Sequence, residues 1–197
     1  VQDLDLGPAD FGGDSLEGCN EMLCLTRPDV IESMHRAFLD VGVDVIETAS
    51  FGSFSTVLVE YNIPEKAYEL NVAAAAIARR VADTYEVDGR PRYVAGSIGP
   101  GTKLPSLGHI DFATLRDSYE EQARGLLDGG SDLFLIETCM DLLQIKAAMQ
   151  ACRRAMKSVG REVPIQVQVT METTGRMLVG TEIGAAYASL QAMKPDV

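Results

Sequence analysis

The chain has 197 residues, of which 46% are hydrophobic and 23% charged, proportions that indicate one ordinary globular domain and exclude a disordered chain. Its formal net charge of -12 argues against nucleic acid or an anionic membrane surface as the main partner. No stretch of about 18 uncharged apolar residues occurs, so no membrane-spanning helix is predicted.

The cysteines and the N-terminus bear on the cellular compartment. The chain has four cysteines and two histidines, with no CxxC pair. A chain of this size with a sizeable core does not need a disulfide framework, so reduced thiols and a cytoplasmic location are predicted. The N-terminus is acidic and lacks the basic and apolar regions of a signal peptide. It also lacks an initiator methionine, which suggests a piece of a longer protein.

The first regular elements are predicted after an irregular N-terminal segment. Thr26 is placed to cap a helix that has Pro28 in its first turn and ends at Gly42. His35 lies beside the apolar stripe of that helix, where a structural or surface role is expected. Residues 43–50 form the first predicted strand.

The middle of the chain continues the alternation. A long helix is predicted over residues 64–85, followed by a strand over residues 93–98 and a Gly- and Pro-rich loop over residues 99–108. Asp111 is placed to cap the next helix, which ends at the glycine pair 129–130.

The C-terminal part repeats the pattern. A third strand is predicted over residues 132–138, and the helix after it begins at Met140 or Asp141. A fourth strand covers residues 165–171 and a further helix residues 181–193. The last four residues look like the entry to another strand.

This alternation predicts an α/β domain with a parallel sheet and right-handed crossovers. It does not by itself distinguish a doubly wound sheet from a (β/α) barrel. Residues 42–44, 130–132 and 194–196 look like three copies of one helix-to-strand joint. The third copy stops where its strand should begin, so the chain is predicted to be truncated within the fold.

A Glu-Thr pair ends the first and third predicted strands, as Glu47-Thr48 and Glu137-Thr138. Carboxylates at the ends of parallel strands can project into one common mouth, where they would hold a substrate ammonium group. The alternative is that each glutamate binds backbone N–H groups at the start of a helix. The two threonines are expected to order the turn and not to react.

The loop over residues 96–103 invites comparison with a phosphate-binding loop, but the spacing does not fit. A P-loop needs lysine directly after the last glycine, and here Thr102 separates Gly101 from Lys103. Pro100 also lacks an N–H to offer a phosphate. A rigid loop at the rim of the sheet is the favoured interpretation.

Cys139 follows the second Glu-Thr pair and could be a nucleophile or a soft metal ligand, although a lone cysteine more often packs in a core. Cys19 and Cys24 are too widely spaced for a zinc knuckle, and Cys152 lies within a predicted helix. Asp141 is open to two interpretations, as a helix-start carboxylate or as a substrate contact.

Five segments, taken in order, resemble one family closely. They are GCNE with LTRP (residues 18–28), IETASFG (46–52), GSIGPGTK (96–103), IETCMD (136–141) and VTMETTG (169–175). From about Asp10 to its end, the chain resembles the homocysteine-binding domain of the cobalamin-dependent methionine synthases, within the zinc-dependent homocysteine S-methyltransferase family.

The resemblance implies a (β/α)8 barrel of the TIM type, with the substrate at the C-terminal ends of the strands. The chain would be an incomplete barrel of about four to five βα units, with residues 1–197 forming part of a single homocysteine-binding domain truncated at both ends. Glu137 corresponds to the glutamate that holds the amino group of homocysteine, and Glu47, Ser50 and Phe51 are expected to line the same mouth. No catalytic residue is assigned.

The chain departs from the family at the metal site. The family binds zinc through three cysteines that would follow the end of this sequence, and none of the four cysteines present matches those positions. The resemblance therefore implies zinc and cobalamin in a longer parent, with folate and cobalamin domains as partners in the same chain. The present chain is expected to bind no metal and to be inactive alone.

Three alternatives stay open at this point. The chain could belong to a betaine- or S-methylmethionine-type homocysteine methyltransferase, which differs in the methyl donor. It could be a small α/β protein that binds an anion at residues 99–101. It could also be a non-catalytic half-barrel that pairs with another chain, because an incomplete barrel leaves strand edges open.

Overall fold

Four short parallel strands alternate with helices in the computed structural model, which describes residues 4–87 and 89–197. The strands are β1 (Val45–Glu47), β2 (Tyr93–Ile98), β3 (Leu133–Cys139) and β4 (Ile165–Val169). The α-helices are α1 (Pro8–Phe11), α2 (Leu23–Thr26), α3 (Pro28–Asp40), α4 (Ser55–Leu58), α5 (Ala67–Asp83), α6 (Phe112–Asp128), α7 (Leu142–Val159) and α8 (Ile183–Met193). Short 3-10 turns cover Asp14–Leu16, Asn20–Met22, Val59–Tyr61, Pro64–Lys66 and Pro105–Leu107.

The strands pair in chain order, β1-β2-β3-β4, and each pair is parallel. Ile46, Val94, Ile98 and Ile136 are buried among side chains of the long helices. Successive strand residues point to opposite faces, so Glu47 and Glu137 point away from this helix layer. A doubly wound sheet would reverse its strand order at a switch point. Sequential order is the arrangement of a (β/α) barrel, here an incomplete one.

The start of α6 follows the sequence prediction, and the start of α3 follows it only in part. The Asp111 carboxylate accepts a hydrogen bond from the Thr114 N–H at 2.9 Å and caps α6. Pro28 occupies the first turn of α3 as expected, but the residue before the helix is Arg27. The prediction that Thr26 is the cap is wrong: Thr26 ends α2, and its hydroxyl donates to the Met22 carbonyl at 3.0 Å.

The predicted helix-to-strand joint has a definite geometry at two of its three copies. The Asp132 N–H donates to the Val94 carbonyl at 2.8 Å, and the Asp132 carboxylate accepts the Val94 N–H at 2.7 Å. Asp196 makes the same pair of bonds with Ile165, at 2.9 and 2.8 Å. The end of the chain thus pairs with β4 as the beginning of a further strand. At the first copy, residues 42–44, the Asp44 carboxylate binds arginine side chains instead.

The first strand is shorter than predicted. Residues 43–50 were expected to be extended, but the ladder with β2 covers three register pairs, from Val45 with Tyr93 to Glu47 with Ala95. After Glu47 the chain turns away from the ladder. By contrast, β2 has the bounds that the sequence predicts. None of the helices in residues 4–87 and 89–197 is both long and apolar enough to cross a membrane.

Candidate functional site

The two predicted glutamates lie at the C-terminal ends of β1 and β3, with Ser97 of β2 between them. The Ser97 hydroxyl donates to the Glu137 carboxylate at 2.6 Å. Glu137 is half-buried, whereas Glu47 is exposed and stands at the end of the edge strand. The structure therefore brings both predicted carboxylates to the same end and the same face of the sheet.

The two carboxylates also share an electrostatic environment. Although Glu47 as a whole residue is exposed, partial desolvation of its carboxylate raises its pKa above the usual value, and the negative charge of Glu137 raises it further. Two carboxylates on one face make the local potential negative, which disfavours anions and favours a cation such as an ammonium group. The chemistry that this arrangement offers is therefore recognition of a positively charged group.

The polar residues after β1 connect the first two strand ends. The Thr48 and Ser50 hydroxyls lie 2.6 Å apart, and the Thr48 oxygen accepts the Ser97 N–H at 2.9 Å. The Ser50 hydroxyl is within 2.8 Å of the Ser97 carbonyl and has 0% exposure. The Ser50 backbone is enclosed as well, since its N–H donates to the Thr48 carbonyl at 2.9 Å and its carbonyl accepts the Gln122 amide at 2.7 Å. Ser50 thus supports the loop from behind, and its contact with a ligand stays a prediction.

Phe51 forms part of the rim beside the loop that follows β2. Its side chain is 41% exposed, and its carbonyl accepts the Gly99 N–H at 3.0 Å. A Cβ atom at Gly99 would come within 2.7 Å of the Phe51 ring and carbonyl oxygen, so a side chain cannot fit there. On the other side, the Glu21 carboxylate accepts the Gly52 N–H at 2.8 Å. These contacts fix the loop that carries Phe51.

The Gly- and Pro-rich loop after β2 is held by its carbonyl groups. The Tyr119 hydroxyl lies 3.0 Å from the Gly99 carbonyl and 3.2 Å from the Pro100 carbonyl, and the Gln144 amide also donates to Pro100. The Phe51 ring lies against Gly99 on one side of this loop. The geometry supports a rigid rim and gives no support to the alternative of an anion-binding cradle at residues 99–101.

Of the two interpretations of Asp141, the structure supports the helix-start carboxylate. Its carboxylate is fully buried, caps α7 through the Leu143 N–H at 2.8 Å, and accepts the Ser106 N–H and hydroxyl at 2.9 and 2.7 Å. These three bonds occupy most of the acceptor sites of the carboxylate and tie the loop after β2 to α7. Asp141 therefore positions the rim and is enclosed away from any ligand.

The thiols do not assemble a metal site. All four cysteines are free and buried, and burial raises the pKa of Cys19 to about 11 and those of Cys24 and Cys139 to about 12. Among residues 4–87 and 89–197, no three His, Cys, Asp or Glu side chains converge in a way that could hold a metal ion. These residues do not fit the family's zinc. Cys139 packs in the core beside Phe134 and Ile136, as a structural cysteine does.

Ser97 is the site residue that sequence reasoning missed. It lies in the strand predicted over residues 93–98, where no sequence pattern assigned it a site role, although it is one of the few polar residues buried in the sheet. The register pairs Glu47 with Ala95, so Ser97, two residues later, faces the same side. A hydroxyl in an otherwise apolar strand, on the face that carries the glutamates, was the available signal.

Comparison with known proteins gives a consistent family assignment. A family model described as Homocysteine S-methyltransferase matches residues 3–197. Methionine synthases of Mycobacterium leprae and Mycobacterium tuberculosis are each 51% identical to this chain over 197 residues. Those alignments cover 100% of this chain and 16% of each relative, so the chain spans a small part of their length.

Solved structures agree on the fold. The homocysteine methyltransferase MmuM from Escherichia coli superposes with a TM-score of 0.74 and 20% identity in its metallated form, over 91% of this chain and 64% of that one. Its oxidized form gives 0.74 and 19%, over 96% and 64%. At this identity the likeness concerns the fold alone, and it confirms the prediction of a partial TIM-type barrel.

Proposed function

The chain belongs to the homocysteine S-methyltransferase family, and on that premise we propose that it supplies the amino-acid-binding part of a methionine synthase. The observation that carries the proposal is the Glu137 carboxylate, held by the Ser97 hydroxyl at 2.6 Å at the end of a barrel strand. A carboxylate fixed in this way is a suitable partner for the ammonium group of homocysteine. Glu47 adds negative potential to the same mouth.

The rest of the reaction is assigned to a longer parent. Residues 1–197 would form part of one homocysteine-binding barrel that continues at both ends. The parent would bind zinc and cobalamin and carry folate and cobalamin domains in the same chain, in the cytoplasm. Zinc, when bound, stabilises a thiolate at neutral pH. What this chain contributes is the binding and orientation of the amino acid, with Phe51 at the rim and Ser50 supporting the loop behind it.

The methyl donor distinguishes the second candidate. Betaine- and S-methylmethionine-type enzymes would use the same amino-acid pocket with a different donor. The 51% identity to methionine synthases, against about a fifth for MmuM, favours the cobalamin-dependent type. Transfer from methylcobalamin to homocysteine by the longer protein is the expected result, and transfer from S-methylmethionine alone would favour the second candidate.

A Glu137→Gln substitution tests the proposal directly. In the longer protein, we expect it to weaken L-homocysteine binding by roughly ten- to a hundredfold, because a charge-assisted bond to the ammonium group becomes a neutral one. Calorimetric titration measures the affinity, and metal analysis should show unchanged zinc. A loss of zinc with unchanged affinity would show that the assignment is wrong.

Two controls make the result specific. Affinity for 4-mercaptobutyrate, which is homocysteine without its amino group, should be the same in the wild type and in Glu137→Gln. Glu47→Gln should weaken L-homocysteine binding less than Glu137→Gln does, because Glu47 is exposed and acts by its potential. Equal effects of the two substitutions would contradict the assigned roles.

A further inference from the structure

Near its C-terminal end, β3 has one more residue than the segment of β4 that pairs with it. Ile136 pairs with Val167 and Cys139 pairs with Val169, so three steps along β3 correspond to two steps along β4. This is a β-bulge, in which an extra residue is left without a partner in the ladder. The bulge lies directly at the Glu137-Thr138 pair.

The bulge changes which side chains face the barrel interior. Phe134 and Ile136 pack in the helix-covered core, so regular alternation would place Thr138 in that core and Cys139 beside Glu137. The structure shows the reverse: Cys139 is 1% exposed within the core, and Thr138 is exposed. The extra residue therefore leaves both Glu137 and Thr138 outside the helix layer.

Thr138 provides the extra residue through a backbone conformation that threonine rarely adopts. Its φ is +58°, in the left-handed region that β-branched residues avoid. The other described non-glycine residues with positive φ, Asn62 and Lys194, lie at helix C-caps, where this conformation is ordinary. Thr138 is thus the exception within a strand.

The residues that follow Thr138 hold this conformation in place. The buried Cys139 accepts the Thr170 N–H at its carbonyl, at 2.9 Å. Two residues later, the buried Asp141 binds Ser106 and caps α7. A strained conformation persists where neighbouring contacts determine it on both sides, and such positions concentrate at functional sites.

Strand alternation after Ile136 already directs Glu137 to the barrel interior; we propose that the left-handed bulge at Thr138 holds the end of β3 in the position from which the Glu137 carboxylate reaches Ser97, which makes Thr138 a positioning residue. The inference rests on the proposed function for the identity of the ligand, but not for the geometry. Thr138 acts through its backbone, and its hydroxyl is not required. Tolerance of a substituted residue for positive φ therefore decides how well Glu137 is placed.

The geometry is tested in the 197-residue chain with 13C-labelled glutamate. The Glu137 carboxyl resonance is assigned by its absence in Glu137→Gln, and Ser97→Ala gives its position without the hydroxyl partner. Thr138→Pro, which cannot adopt positive φ, should move the resonance towards the Ser97→Ala position. Thr138→Val, which keeps the branching but not the hydroxyl, should leave it in place. An unchanged resonance in a folded Thr138→Pro variant would overturn the proposal.

Thr138→Asn decides the question if the proline variant does not fold. Asparagine adopts the left-handed conformation more readily than threonine. We expect the Glu137 resonance to stay in place and the melting temperature to rise by about 2–4 °C, because strain is relieved. A lower melting temperature or a displaced resonance would show that this conformation is not the one that holds Glu137.

Binding in the longer protein separates this inference from the proposed function. Thr138→Pro should weaken L-homocysteine binding about tenfold and leave 4-mercaptobutyrate unaffected, whereas a general loss of structure would weaken both. If Glu137→Gln leaves L-homocysteine affinity unchanged, the proposed function fails. In that case the carbon resonances still decide whether Thr138 positions Glu137.

Discussion

The two Glu-Thr pairs are nearly identical in sequence and opposite in structure. At the first pair, the threonine is buried: Thr48 is 4% exposed and its hydroxyl oxygen accepts the Ser97 N–H, while Glu47 is exposed. At the second pair, Glu137 is half-buried and bound to Ser97, while Thr138 is exposed. The same dipeptide therefore uses its threonine for structure at one strand end and its glutamate for a site at the other.

The neighbouring strands explain this difference. β1 is an edge strand with a three-residue ladder, so the chain can turn after Glu47, and side-chain bonds of Thr48 replace the lost backbone bonds. β3 is paired on both sides, and the bulge against β4 reverses the direction of the residues after Glu137. Ser97 connects the two pairs, because its N–H serves Thr48 and its hydroxyl serves Glu137.

Acid should destabilise the region around the first Glu-Thr pair, because the buried His35 lies beside it. His35 lines a cavity of about 320 Å³ together with Glu47 and Thr48, and burial lowers its pKa from 6.5 to about 4. Burial disfavours protonated His35 in the folded state but not in the unfolded state. The stability that depends on neutral His35 is therefore fully present above pH 6.5 and is lost as the pH falls towards 4. The loss amounts to about 3 kcal/mol, at about 1.4 kcal/mol for each pKa unit.

A His35→Leu variant isolates that effect. Urea unfolding of the wild type and of the variant, measured at a series of pH values between 6.5 and 4, should show a smaller loss of stability in the variant. The carboxyl groups of the chain titrate in both proteins and cancel in the difference. An identical pH dependence in the two proteins would mean that His35 takes up its proton as readily in the folded state as in the unfolded one.

The two threonines give the next largest effect. Thr48→Val should lower the free energy of unfolding by about 1–3 kcal/mol, because it leaves the buried Ser97 N–H without its acceptor. Thr138→Val should change it by less than about 0.5 kcal/mol, since the lost hydroxyl is exposed. Urea unfolding at pH 7 measures both. Equal costs would contradict the contrast between the pairs.

The sequence predicts that both glutamates lie at strand ends, but it does not predict how the two Glu-Thr pairs differ. Strand β2 has the predicted bounds, since its ends are marked by Pro91 before it and by Gly99 after it, and both glutamates are found at strand ends. The bulge at Thr138 depends on the register between β3 and β4, which no local pattern of β3 contains. The role of Ser97 was missed for a similar reason, because it depends on which residues lie opposite it.

The N-terminal segment shows the same limit. Thr26 has the residue type of a helix cap, and Pro28 correctly predicts the start of α3. The short helix α2 that ends at Thr26 forms because Leu23 and Cys24 are buried against α3 and α5. Local propensity for a cap is thus overridden by burial of neighbouring residues, which cannot be deduced from the segment alone.

The smallest expected effect concerns Glu47, and it sharpens the contrast between the two carboxylates. Its folded-state pKa is raised above 4.5 by partial burial and by the charge of Glu137. A raised carboxyl pKa means that the folded state is most favoured below pH 4.5 and loses that advantage as the pH rises through the raised value. Glu47→Gln should therefore raise the melting temperature at pH 7, on the order of 1 °C because the group is partly solvated, and leave it unchanged at pH 4.

Glu86→Gln, at an exposed position after α5, is the matched control and should show no such difference. If Glu47→Gln destabilised the chain at pH 7, the Glu47 carboxylate would have a favourable partner in the fold, and its role as a free charge at the mouth would have to be abandoned.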